Sequence, residues 1–260
     1  MKQYTIITTL FLSLIFACSK DDSNTENTPD NQILNKNINR QPTGSSANDL
    51  LSETTFKSAV IELVYVEGFE PTQVAIDNFV SFLNNRTFKP NGIRVEKRGI
   101  VTPGKERFSI DDIADIEKKE RTKYNSGDEI AIWALFIDGK SENDTENSVT
   151  LGSAYWNTSF VIYQETLQNL SNSPFEPDRS LLETTVITHE VGHILGLTDL
   201  GSDMQEHHED EAHPKHCNVE NCLMYWAAET GAGIANMTEM TSAPQLDAFC
   251  LDDLRANGGK

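Results

Sequence analysis

The chain is short of positive charge. Its 260 residues hold 21 Lys and Arg against 40 Asp and Glu, a net charge of −19 at pH 7. Removing residues 1–17, which carry Lys2 and no acid, makes it −20. A chain so acidic cannot neutralise phosphates or anionic headgroups, so nucleic acid is excluded as a partner, as is electrostatic adhesion to a membrane. Cysteine is scarce: Cys18, Cys217, Cys222 and Cys250 are too few for a disulfide scaffold. Long apolar runs are missing as well. The largely apolar stretch from Tyr4 to Ala17 is too brief to cross a bilayer as a stable helix. No internal repeat occurs, which excludes solenoids and propellers. Histidine is absent from residues 1–188 and 217–260; all six lie within the 28 residues from His189 to His216.

At the start, Met1-Lys2 and the run to Ala17 read as the n- and h-regions of a signal peptide over residues 1–17. Leu14-Ile15-Phe16-Ala17-Cys18 resembles the lipobox of bacterial lipoproteins, where cleavage leaves the cysteine lipidated as the new N-terminus. The alternative is an ordinary secretory peptide with an incidental cysteine. Ser19-Lys20-Asp21-Asp22 resembles the surface-export tag of Bacteroidetes lipoproteins. These resemblances imply an extracytoplasmic chain, anchored to the bacterial outer membrane through lipid on Cys18 and exposed at the cell surface. Residues 18–50, rich in Asn, Asp, Thr, Ser and Gln, bury too little apolar surface to offset their ordering entropy and read as a disordered tether. The stretch from Leu51 to Lys260 is long enough for a full hydrophobic core. It divides into an N-terminal part over 51–198 and a smaller, irregular C-terminal part over 199–260.

Alternation and β-branching predict strands over 56–66 and 93–100, with a helix opening at Glu70-Pro71-Thr72 and running to Asn85 between them. Residues 109–124 carry a charged amphipathic pattern. The nearly continuous apolar run 129–138 reads as a central strand buried on both faces. After a polar loop over 139–149, residues 153–163 read as one more strand, at the rim of the sheet. Its aromatics Tyr155, Trp156, Phe160 and Tyr163 either receive a substrate strand or pack the core. The order predicts an α/β domain, a mixed twisted sheet covered by helices.

The chemistry is concentrated in His189-Glu190-Val191-Gly192-His193-Ile194-Leu195-Gly196. On a helix, i and i+4 share a face, so both imidazoles reach one metal ion while Glu190 stands beside it as a general base. Ser180 and Glu183 are placed to form a capping box for this helix, and Gly196 to end it. Cys222-Leu223-Met224-Tyr225 comes at a distance that allows a tight turn with the methionine under the histidine rings. Catalytic zinc normally takes three protein ligands and an open position, so a third is needed.

The extended motif HExxHxxG resembles the metzincin peptidases, whose pattern places the third ligand at Asp199 here. The run His216-Cys217, four residues, Cys222-Leu223-Met224 resembles the archaemetzincins more specifically, and there the ligand is His216. His216 is the favoured choice, since imidazole is the commoner ligand. The resemblance extends to Phe249-Cys250, which in archaemetzincins belongs to a Phe-Cys-x-x-Cys completing a second, four-cysteine zinc site. Here its last position is Asp253. With Cys18 set aside, Cys217, Cys222 and Cys250 therefore either join a second structural zinc or form a disulfide, with Cys217 to Cys222 the competing pair. His207, His208 and His213 lie in an acidic insertion over 199–215 and read first as solvated, second as ligands of a cation such as calcium. Tyr225 and Trp226 either line a substrate pocket or pack against the turn.

Together these features predict a monomeric zinc metallopeptidase acting on proteins or peptides. The expected mechanism is Zn2+ on His189, His193 and His216 with Glu190 as base. The rival expectation is a non-catalytic binding lipoprotein stabilised by metal.

Overall fold

The computed structural model describes residues 35–146, 148–231 and 240–260. The signal peptide and Cys18 lie outside the described residues. Leu34–Lys260 forms one compact unit.

The elements run in the order α1 (Ala47–Leu51), β1 (Ser58–Val66), α2 (Gln73–Arg86), β2 (Ile93–Ile100), β3 (Arg107–Phe108), α3 (Ile110–Glu120) and β4 (Glu129–Ile137). Next come β5 (Lys140–Ser141), β6 (Gly152–Trp156), β7 (Ser159–Tyr163), α4 (Gln164–Asn169), α5 (Arg179–Ile194) and α6 (Ala248–Ala256). The main sheet has the order β2-β1-β4-β7-β6. Its first four strands are parallel and β6 runs antiparallel along the edge. A mixed sheet covered by helices is the predicted class.

β4 lies at the centre, its residues from Ile130 onward buried. Alternate side chains divide between two cores, as the period of a strand requires. Ile61, Leu63, Ile132, Ala134 and Phe136 face α2 and α5, meeting Phe79, Leu83, Val186 and Val191. Val64, Val66, Trp133, Leu135 and Ile137 face the other side, with Ile113 of α3 and Phe108. A capping box of Ser109 and Asp112 fixes the start of α3.

Three expectations are corrected. The tether read over 18–50 does not hold for residues 35–50: the Asn39 side-chain amide donates to Asn125 Oδ1 (2.7 Å) and Thr158 Oγ1 (3.1 Å), both buried. Leu50 and Leu51 enter the main core. The buried Lys89 Nζ donates to the carbonyls of Asp49 and Phe56, both at 2.9 Å, and to that of Ser52. This segment docks through hydrogen bonds as much as through apolar area, which composition does not register. Second, the single strand read over 153–163 is a hairpin turning at Asn157-Thr158, so β6 and β7 are antiparallel neighbours. Third, the N-cap of α5 is Asp178, whose Oδ1 accepts from Leu181 N (3.1 Å). Glu183 turns inward instead, accepting from Thr72 Oγ1 (2.6 Å) and Gln164 Nε2 (2.5 Å), and so ties α5 to the starts of α2 and α4.

Candidate metal centres

α5 carries His189, Glu190 and His193 into the core and ends at Gly196, whose φ of +90° is a left-handed turn suited to glycine. The Nδ1 of His189 lies 2.8 Å from Leu223 O, and that of His193 lies 3.1 Å from Leu197 O. A carbonyl only accepts, so each Nδ1 carries the proton and each Nε2 is left with a bare lone pair. Yet those two Nε2 atoms face each other at 3.1 Å. His216 joins them, its ring 5.3 Å from that of His189 and 5.2 Å from that of His193, with its Nδ1 3.1 Å from Pro214 O. Such a contact is relieved by a shared proton or by a cation between the rings, and burial, which lowers the pKa of both histidines, disfavours the proton. Tetrahedral zinc with bonds of about 2.0–2.1 Å sets nitrogens roughly 3.3 Å apart, so the three imidazoles fit it.

The structure therefore brings together His189, His193 and His216, the favoured set, and leaves Asp199 out. Asp199 is exposed at φ +60°. After Gly196 the chain folds back, with Leu200 N and Ser202 N both donating to Gly196 O. That tight return places Leu200 on the cavity wall and turns Asp199 outward.

A carboxylate does reach the histidines, but from elsewhere. Glu229, at the end of a 3₁₀ turn over Trp226–Glu229, places Oε1 3.1 Å from His216 Nε2 and Oε2 3.7 Å from His189 Nε2. Burial pushes its carboxyl up, but the hydrogen bond from His216 and the surrounding imidazoles outweigh this and hold it at about 2. For His216 burial acts downward and Glu229 upward, and the result is a raised pKa. No spacing rule links Glu229 to HExxH; its only signal was its place five residues after Met224.

Glu190 is fully buried, and neither carboxylate oxygen has a hydrogen-bond partner of good geometry. Burial, then the charge of Glu229, raises its pKa well above the usual carboxylate range, while the Ala154 backbone acts in the opposite sense. Edge strand β6 passes so close that a Cβ on Gly152 would lie 2.6 Å from Glu190 Oε1. Met224 packs beneath the helix as the spacing implied: a Cβ on Gly192 would meet its Sδ at 2.2 Å. The cavity over the site, about 170 Å³, is walled by Thr43, Ser153, Ala154, Leu200 and Lys215. Neither Tyr225 nor Trp226 lines it; Trp226 stacks on His213 at 4.2 Å. The rim aromatics also pack inward, with Phe160 and Tyr163 buried and Tyr155 Oη donating to Glu117 Oε2 at 2.5 Å.

A second cluster sits beneath the turn. Cys217, Cys222 and Cys250 are free thiols, so the Cys217 to Cys222 disulfide is not formed. Cys222 and Cys250 place their Sγ atoms 3.6 Å apart, and His208 Nδ1 lies 3.3 Å from Cys217 Sγ and 4.0 Å from Cys250 Sγ. Tetrahedral zinc on thiolates at about 2.3 Å sets sulfurs roughly 3.8 Å apart. The thiols of Cys217 and Cys250, hydrogen-bonded to Cys222, lower the pKa of the latter and so favour a thiolate within the cluster. His208 corrects the solvated reading: it is 1 % exposed, brought beside the cysteines by a bridge pairing Glu209 with Cys217. Solvation does describe His207, which is exposed, whereas His213 pairs with Asp210 at 2.8 Å. The carboxylates of Glu209 and Asp210 accept backbone N–H groups of the insertion itself.

No protein-family model matches the sequence, and no curated protein matches it. The fold does have solved counterparts. Archaemetzincin from Methanopyrus kandleri superposes with a TM-score of 0.51 at 16 % identity, over 77 % of this chain and 96 % of that one. The fold is that of archaemetzincin. A zinc-dependent peptidase from Methanocorpusculum labreanum matches at TM-score 0.44 and 12 % identity, over 75 % of this chain and 99 % of that one. Metalloproteinase-II from Bacteroides fragilis matches at 0.39 and 13 %, over 88 % and 58 %. Against the four-cysteine pattern of the archaemetzincin resemblance, this chain has Asp253 at the last position. Its Oδ2 lies 2.7 Å from His208 Nε2 and its Oδ1 accepts from Gln205 N (2.7 Å). Asp253 thus fixes the His208 proton on Nε2 and turns Nδ1 towards the sulfurs.

Proposed function

We propose that this chain is a zinc-dependent metallopeptidase, an endopeptidase of proteins or peptides acting as a monomer. The observation that carries this reading is Glu190, buried beside three converging imidazoles with no hydrogen-bond partner of good geometry. A purely structural zinc site has no use for such a carboxylate. When bound, zinc supplies a water acidified towards about pH 7 and a Lewis-acid pull on the scissile carbonyl. The work of Glu190 is to accept a proton from that water and deliver it to the leaving amine. The backbones of Leu223 and Leu197 hold His189 and His193 in the tautomer that leaves Nε2 free for metal. Edge strand β6, with Ser153 and Ala154 on the cavity wall, offers backbone groups for an extended peptide to join.

The second cluster we read as a structural zinc site of Cys217, Cys222, Cys250 and His208. Asp247 caps α6 through Oδ1, while its Oδ2 lies 3.7 Å from Cys217 Sγ and stands with His208, Cys217 and Cys250 as a further donor of this cluster. Replacing Asp253 with asparagine leaves His208 in place but weakens its orientation, and is expected to lower zinc affinity at this site about 10–100-fold, read by chelator competition. Lipidation of Cys18 and outer-membrane anchoring belong to the same proposal, on sequence grounds alone.

A second reading, a surface lipoprotein in which metal only braces the fold, is favoured by Glu229, because four protein donors describe a closed site. The test uses the chain from Ser19, zinc-loaded, against its Glu190→Ala variant, with casein as substrate. The peptidase reading expects both to hold equal zinc and only the parent to cut, the variant losing more than about a hundredfold in rate. Equal zinc with no cleavage by either, under conditions where Glu229 has also been replaced, moves the binding reading to first place.

A further inference from the structure

We propose that Glu229 is the fourth protein ligand of the zinc on His189, His193 and His216, so that the resting site is closed and opens only when this carboxylate withdraws. This rests on the zinc reading above and adds to it a built-in latency.

His189 and His193 spend their Nδ1 protons on backbone carbonyls, so their Nε2 atoms have none to give. His216 Nδ1 likewise faces Pro214 O and His213 O. Into this ring of acceptors Glu229 aims an oxygen pair, 3.1 Å from His216 Nε2, 3.7 Å from His189 Nε2 and 4.0 Å from His193 Nε2. A protonated His216 would satisfy the shortest of these contacts and leave the other two as carboxylate against bare lone pairs. A metal ion satisfies all three. Donors at about 2.0–2.2 Å around tetrahedral zinc stand roughly 3.3–3.6 Å apart, and the four side chains present donor atoms mutually within 4.8 Å. Glu190 is not among them, as befits a group that acts on a ligand rather than as one.

The attachment of Glu229 suggests how it leaves. Its carbonyl accepts from Leu151 N (2.9 Å), and Gly231 N donates to Val149 O (3.1 Å). The carboxylate therefore hangs from a bridge to the residues leading into β6. Ser153 and Ala154 of β6 wall the cavity together with Glu229. A peptide laid along that edge occupies the space beside the carboxylate and loads the strand whose lead-in residues anchor its turn, so substrate entry and loss of the fourth ligand are coupled.

The experiment takes the chain from Ser19 with cobalt exchanged for zinc, as parent, Glu229→Gln and Glu229→Ala, and titrates each with azide. The azide-induced difference spectrum reports only a metal with a replaceable position, so the closed cysteine site is silent. Both variants are expected to bind azide about tenfold or more tightly than the parent, to release zinc to a chelator about tenfold more readily, and to cut casein faster. Equal azide affinity in all three proteins overturns the proposal, whatever the cleavage rates. Variants that bind azide more tightly yet cut nothing keep Glu229 as a ligand and overturn the peptidase reading instead.

Discussion

Replacing Cys222 with serine is expected to remove one of two zinc ions and to lower the melting temperature by about 10 °C. Cys222 is the hub of the lower cluster. Its Sγ lies 3.6 Å from Cys250 Sγ and accepts from Met224 N (3.4 Å) and Asp247 N (3.5 Å). The segments tied there are far apart in sequence: the insertion through His208, the methionine turn, and α6 through Cys250. Structural zinc contributes about 10–16 kcal/mol to small metal-dependent folds, but here a large apolar core already holds the chain, so only part of that is at stake. A loss of about 3–5 kcal/mol corresponds to roughly 10 °C for a domain of this size. The damage should also reach the upper site, because Leu223, the residue after Cys222, holds His189 Nδ1 through its carbonyl. Calorimetry with metal analysis decides it. Two zinc ions retained at an unchanged melting temperature would show that Cys222 is not a ligand and leave the site to His208, Cys217, Asp247 and Cys250, whereas a comparable drop on chelation of the parent would tie the loss to metal.

Where apolar periodicity decides structure, the sequence was legible. β2 and β4 fall within a residue of the ranges expected, and α2 starts where Pro71-Thr72 predicts. The parallel core follows from a strand, β4, with no polar face to show to water. His189, Glu190 and His193 were legible because a helix fixes their spacing whatever surrounds it. His216 was reachable through its adjacency to Cys217. Glu229 and His208 were not, since each is delivered by long-range pairing: Thr150 with Thr230 for one, Glu209 with Cys217 for the other. Neither pairing leaves a local pattern. The same blindness hid residues 35–51, whose docking depends on buried amide and ammonium hydrogen bonds to partners such as Asn125 and Phe56. The hairpin at 157–158 was missed because Asn157-Thr158 lacks the glycine that usually marks a two-residue turn. Both Asn157 and Thr158 are buried there, with Asn157 Nδ2 donating to Ile38 O (2.8 Å).

Gly152→Ala is expected to lower kcat about a hundredfold while leaving zinc content and fold intact. The added Cβ would lie 2.6 Å from Glu190 Oε1, 2.8 Å from Glu190 Cγ and 2.9 Å from Val186 Cγ1. Something must move. Val186 is packed in the main core and β6 is hydrogen-bonded to β7, so the Glu190 carboxylate, which no hydrogen bond of good geometry restrains, yields first. Overpacking costs about 1–3 kcal/mol, and replacing a strand glycine with alanine recovers about 0.5–1. The net change in stability is therefore small. Displacing a catalytic group by about 1 Å, in contrast, costs on the order of 10² in rate. The three histidines are untouched by this contact, so metal binding should not change. Measuring kcat, melting temperature and zinc together separates the two roles open to this glycine. If the melting temperature falls by several degrees while kcat holds, Gly152 serves only to let β6 pack on α5; if kcat falls alone, the strand edge sets the position of the base.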